Sequence, residues 1–203
     1  MNRKNSFTAI MMSIVIVITL TFSAKAQFHQ GGWGLNAGIA LPAGVTQSVA
    51  IPNSSFTNVT FTPTASANLV YLLSQSFALQ FGVGFLSAGQ TPPSGPAPDA
   101  LTTLSLTASG KYYMGHGDVM TYLGAGFSYT NLPKFTLGNT KITSSLVMIF
   151  GCFGAEGFLN ANKSVSLFIQ MGFGYNMLSF SSLSNNQNTF NLGGSAAGAN
   201  IYF

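Results

Sequence analysis

Few residues of this chain could do chemistry, and they stand far apart. Lys111 and Glu156 are charges set in otherwise apolar stretches, His29 and His116 are the two histidines, and Cys152 is the one cysteine. General acid–base catalysis needs such groups within hydrogen-bond reach of one another and of a substrate. Metal binding needs Cys, His or carboxylates at ligand spacing. Neither histidine has such neighbours, so no catalytic residue, no metal ligand and no cofactor are expected. Cys152 sits in the run LVMIFGCFG, where a thiol serves as a small buried hydrophobe. The pairs Gly82-Val83-Gly84, Gly124-Ala125-Gly126 and Gly172-Phe173-Gly174 lack the further glycines of a phosphate-cradling loop. They fall inside strands, where glycine relieves crowding.

The elements that hold these residues must be built with very little charge. Only 5% of the 203 residues are charged, 47% are hydrophobic and glycine numbers 23, whereas a soluble domain carries about 25% charged residues. Residues 1–26 read as a cleaved secretory leader: Arg3 and Lys4 are positive, Ile10 to Phe22 are mostly apolar, and Ala24-Lys25-Ala26 is a cleavage signal. Residues 27–203 then form one domain. In it four lysines (Lys111, Lys134, Lys141, Lys163) face three acids (Asp99, Asp118, Glu156), a net charge of +1. No basic cluster remains, which argues against nucleic acid as a partner.

Along residues 27–203 the hydrophobic period is 2 almost throughout, so the fold class expected is all-β. In FALQFGVGF, Phe77, Leu79, Phe81, Val83 and Phe85 share one parity and Ala78, Gln80, Gly82 and Gly84 the other. Val165, Leu167, Ile169, Met171, Phe173 and Tyr175 alternate in the same way with Ser166, Phe168, Gln170, Gly172, Gly174 and Asn176. Eight such strands can be traced. The sixth, from about Ser145 to Phe158, is apolar on both parities; Val147, Ile149, Phe153 and Ala155 are assigned outward because the other choice would put Glu156 among them.

Connections alternate as well. Ser74 to Ser76, Met114 to Asp118 and Asn160 to Lys163 are short turns, while 42–63, 87–102, 130–143 and 177–189 are long polar loops. Short turns at one end and long loops at the other describe an eight-stranded antiparallel up-and-down transmembrane β-barrel. The interior of such a barrel is only just wide enough for side chains to fill it, so the bulky parity must face lipid. Trp33, Tyr71, Phe77 and Tyr112 then form an aromatic girdle at the turn end, and Phe85, Phe127, Tyr129, Phe173 and Tyr175 one at the loop end. Lys111 and Glu156 both take inward parity near the turns, and an interior ion pair between them is expected, since a buried charge without a partner is strongly disfavoured. The remaining inward groups, Asn36, Asn68, Gln80, Thr107, Tyr122, Gln170, Asn176 and Asn200, are neutral hydrogen-bonding residues. They suit a plugged lumen better than an ion-selective pore, which calls for rings of one charge.

The leader, the eight alternating strands, the sorted turns and the terminal Ile201-Tyr202-Phe203 together resemble the small outer-membrane β-barrel superfamily that includes the OmpA transmembrane domain, OmpX and OmpW. The resemblance spans 27–203. It implies location in the bacterial outer membrane, contact with outer-membrane lipid, and an assembly signal at Phe203 with Ile201 that the outer-membrane assembly machinery reads. A monomer is expected. Barrel lipases and proteases of outer membranes place their catalytic histidine toward the outer half, and this chain has none there, so a non-enzymatic role is expected. Likeness to OmpX implies a filled barrel acting in envelope integrity or surface contact through its loops. Likeness to OmpW implies a narrow channel for small or hydrophobic solutes, an alternative that inward-facing Leu146, Met148 and Phe150 keep open.

Overall fold

The computed structural model describes residues 29–40, 47–49, 58–91, 101–132, 135–137, 140–180 and 187–203. The expected leader, Asp99 and Lys134 lie outside them. Eleven strands follow in order: β1 (Trp33–Ala40), β2 (Gln47–Val49), β3 (Asn58–Ser74), β4 (Phe77–Thr91), β5 (Leu101–Met114), β6 (Val119–Asn131), β7 (Phe135–Leu137), β8 (Thr140–Ile142), β9 (Ser144–Phe158), β10 (Val165–Phe180) and β11 (Gln187–Tyr202). Eight of them, β1, β3, β4, β5, β6, β9, β10 and β11, pair antiparallel in a continuous round. The round closes because β1 pairs with β11 on one side and with β3 on the other. Such closure gives each of the eight strands of the round a neighbour on both sides. No described helix is long and apolar enough to cross a membrane, a fact that does not bear on strands.

The expected alternation is realised in three dimensions. Along β6 exposed and buried side chains alternate, with Leu123, Phe127 and Tyr129 outside and Met120, Tyr122, Ser128 and Thr130 inside. In β9, Ile149 and Phe153 are exposed while Leu146, Cys152 and Glu156 are buried, as expected for that strand.

The strands run further into the polar segments than their composition suggests. β3 starts at Asn58, β4 continues to Thr91, β10 reaches Phe180 and β11 starts at Gln187, so each of the loops expected at 42–63, 87–102 and 177–189 is partly ladder. Within 130–143, β7 and β8 form a hairpin of their own. Backbone pairing does not require apolar side chains, and the Thr-rich start of β3 (NVTFTPT) is compatible with a pleated surface. Pro63 is accommodated at a bulge between Pro63 and Ala65, the position where a missing N–H is tolerated; the Thr64 hydroxyl donates to the Phe85 carbonyl at 3.1 Å. The β3–β4 ladder shifts again between Leu72 and Ser74, and a further irregularity opposite Gly172 and Phe173 shifts the register of β11. It leaves Phe190 on the outer face, with its ring 6.4 Å from that of Phe173.

Strand contact is closest where the small inward residues sit. A Cβ at Gly198 would lie 2.0 Å from the Ala37 carbonyl oxygen, and one at Gly82 would lie 2.1 Å from that of Ala67. Only glycine permits the backbones to approach so nearly.

Candidate functional site

The turn end of the lumen is built around Glu156, a carboxylate with no solvent exposure. Three hydroxyls donate to it: Tyr113 to Oε2 at 2.8 Å, Tyr202 to Oε1 at 2.7 Å and Ser166 to Oε1 at 2.5 Å. Alternation on β5, β11 and β10 places all three inward, at the ends of their strands nearest the turns. Val70, Leu72, Ala78, Met120 and Phe158 pack with Tyr113, Tyr122 and Tyr202 into a buried cluster at this end. Apolar side chains therefore surround one buried carboxylate at this end.

From Glu156 a hydrogen-bonded belt runs round the wall. Thr107 on β5 donates to Asn68 Oδ1 at 3.0 Å, and Asn68 Nδ2 to Asn36 Oδ1 at 2.8 Å. Asn36 Nδ2 donates to Asn200 Oδ1 at 2.6 Å, and Asn200 Nδ2 to Ser166 Oγ at 3.1 Å. Ser166 then donates to the carboxylate. Every bond points the same way, toward the negative charge, and Tyr113 brings the belt back to β5. Hydrogen bonds in chains of this kind polarise one another.

Lys111 is 3% exposed and lies close enough to Glu156 for the two charges to interact. The expected direct ion pair is nevertheless not formed. The carboxylate is occupied by hydroxyls, and Lys111 Nζ lies over the rings of Tyr122 and Phe168, 4.3 Å and 4.8 Å from their centroids. Parity correctly placed both charges inside; it could not show that three hydroxyls of the same parity reach the carboxylate first. Tyr113, Ser166 and Tyr202 are the site residues that sequence reasoning missed, and the signal that could have found them is their inward parity at the turn end.

Above this cluster the lumen holds cavities. A cavity of about 110 Å3 is bordered by Asn36, Asn68, Gln80, Thr107, Lys111 and Gln170. A larger one of about 260 Å3 extends toward the long loops, past Ser105, Leu86, Leu146, Met148 and Asn176. The two share Thr107, Phe150, Cys152 and Gln170 in their walls.

Outside, Trp33 and Tyr71 stand opposite each other on β1 and β3 with ring centroids 4.6 Å apart, and Phe77 pairs with Tyr112 across β4 and β5. Toward the loops Phe127, Tyr129, Phe173 and Tyr175 are exposed and Phe85 half-buried. His116 is exposed in the turn between β5 and β6, and among the described residues no group of His, Cys, Asp and Glu could hold a metal ion.

The closed round of eight antiparallel strands has solved counterparts. The outer membrane protein OprG of Pseudomonas aeruginosa superposes with a TM-score of 0.56 at 13% identity, covering 88% of this chain and 98% of that one. The Escherichia coli outer membrane protein W superposes with a TM-score of 0.51 at 12% identity, covering 86% and 99%. The fold is that of the small outer-membrane barrels. No family model matches the sequence and no curated protein matches it significantly, so the likeness is one of architecture.

Proposed function

We propose that this chain is an integral barrel of the bacterial outer membrane, non-enzymatic, with a lumen closed at the turn end, and that it acts in envelope integrity or surface contact through its loop end. The observation that supports this reading is what we call the stopper: Glu156 with its three hydroxyl donors, set in the buried apolar cluster at the turn end. Membrane residence is supported by the outer face, where Ile39, Phe81, Leu106, Phe127, Ile169 and Met171 are each at least half exposed. Contiguous apolar surface of that extent calls for lipid rather than water, and the exposed aromatic residues at both ends of the strands suit the two interfaces. Ile201 and Phe203 lie on the same outward parity of the closing strand, where an assembly signal would be read. A closed round of strands supports a monomer.

Refolded protein should give no single-channel steps in a planar bilayer, and its unboiled form should migrate differently from the boiled form on a gel. Steady steps would overturn the stopper reading; identical migration would overturn the closed barrel. A second reading, uptake of small or hydrophobic solutes from the loop end, is favoured by the 260 Å3 cavity and the Leu146, Met148 and Phe150 side chains along it.

A further inference from the structure

Gln80 is 6% exposed, and one end of its amide is unanswered. Its Oε1 accepts from Ser109 at 3.4 Å, and its Nε2 is one of two buried side-chain polar atoms, among the described residues, with no hydrogen-bond partner. Turning the amide over would leave its oxygen in the same position, so one end lacks a partner either way. The reason lies in the register. Gly82 stands opposite Asn68 on β3 and opposite Thr107 on β5, so the bond from Thr107 to Asn68 passes over β4 where that strand has no side chain. A Cβ at Gly82 would come within 2.5 Å of Asn68 Oδ1. The belt therefore skips β4, and Gln80, two residues nearer the turn, is left beside it. A buried donor that nothing accepts is costly.

Gln80 borders the cavity of about 110 Å3 together with Asn68, Thr107, Ser109 and Gln170. That volume is several times the roughly 10–15 Å3 that a single water needs. The wall calls for a neutral guest: its one charged group, Lys111, already interacts with Glu156, and its other polar groups are amides, hydroxyls and the Cys152 thiol. It also calls for a guest that both accepts and donates. Gln80 Nε2 needs an acceptor, while Asn68 Oδ1 and Gln170 Oε1 each take one donor, from Thr107 and from Tyr122, and a carbonyl oxygen has two lone pairs. We propose that the cavity is a binding site for a cluster of ordered water, anchored on Gln80 Nε2 and bridged to Asn68 and Gln170, so that water carries the belt onto the strand it skips. Buried waters make about three hydrogen bonds each, to groups that are otherwise unsatisfied. The site does not depend on whether the turn end conducts.

The test uses the full chain refolded into lipid vesicles with its nitrogens isotopically labelled, and follows magnetisation from water to nitrogen by solid-state NMR. The side-chain nitrogens of Gln80, Asn68 and Gln170 should take up water magnetisation several-fold faster than that of Asn200, a fully buried amide bonded to Asn36 and Ser166. Gln80→Met, which keeps the length of the side chain and removes its donor, should slow the transfer to Asn68 and Gln170 several-fold while the unboiled protein still migrates as a closed barrel. Transfer to Gln80 no faster than to Asn200 would overturn the site, and the parent protein decides this alone if Gln80→Met does not refold. Transfer to Asn68 and Gln170 that Gln80→Met leaves unchanged would overturn the anchor. A saturable shift of the Gln80 side-chain resonance on adding glycerol or urea, with loss of the water transfer, would make the guest a small neutral solute and overturn water as the occupant. Single-channel steps in a planar bilayer would sink the reading of a closed turn end and leave this site standing.

Discussion

At Glu156 the charge is held by hydroxyls, which assigns different weights to residues that look equivalent in sequence. Tyr113→Phe and Tyr202→Phe each remove one donor from a fully buried carboxylate, and each should cost about 1.5–3 kcal/mol in urea unfolding from lipid vesicles. Because both donate to the same carboxylate, and their hydroxyls lie 3.4 Å apart, the double variant should depart from additivity by more than about 0.5 kcal/mol. Lys111 makes no hydrogen bond, so Lys111→Met should be better tolerated than Glu156→Gln, whose new amide would turn donors toward donors. A larger loss from Lys111→Met than from Glu156→Gln in the same unfolding assay would contradict the geometry described here.

Each strand must satisfy lipid on one face and a crowded lumen on the other. On β4, Phe81 faces outward and is 52% exposed; Phe81→Arg, near mid-span, should cost about 2–4 kcal/mol. Gly82, the next residue, faces inward with no room for a Cβ beside the Ala67 carbonyl, and Gly82→Ala should cost about 1–3 kcal/mol through strain. Vesicle-refolding titrations would check both, and a harmless Phe81→Arg would reverse the inside-out assignment. This alternation was fully legible in the sequence, because one parity of FALQFGVGF is too bulky for so narrow an interior. The ends of the strands were not legible. Segments such as NVTFTPT and LSAGQT are polar enough to read as loop, yet their backbones go on pairing, and ladder hydrogen bonds leave no mark on side-chain polarity. Nor did parity reveal partners. It assigns a residue to the lumen without saying which of several inward groups it meets, so the shared inward parity of Lys111 and Glu156 does not show that Tyr113, Ser166 and Tyr202 hold the carboxylate.

For the molecule as a whole, the buried cluster at the turn end lies below the two cavities of the lumen. Truncating the stopper, with Tyr113→Ala and Tyr202→Ala together, should turn a silent protein into one with measurable conductance in a planar bilayer; continued silence would mean that other residues keep the path shut. The round itself closes through residues that are far apart along the chain. The Asn36–Asn200 bond joins positions 164 residues apart, and β1 finds both of its neighbours only when β11 is present. Loop closure over such a distance must precede any reward from that contact. Time therefore enters the architecture: strands β3 to β10 can zip in succession as hairpins, but the cylinder is completed in one late event. Until that moment the assembling chain carries two open edges, each a template for pairing with another strand.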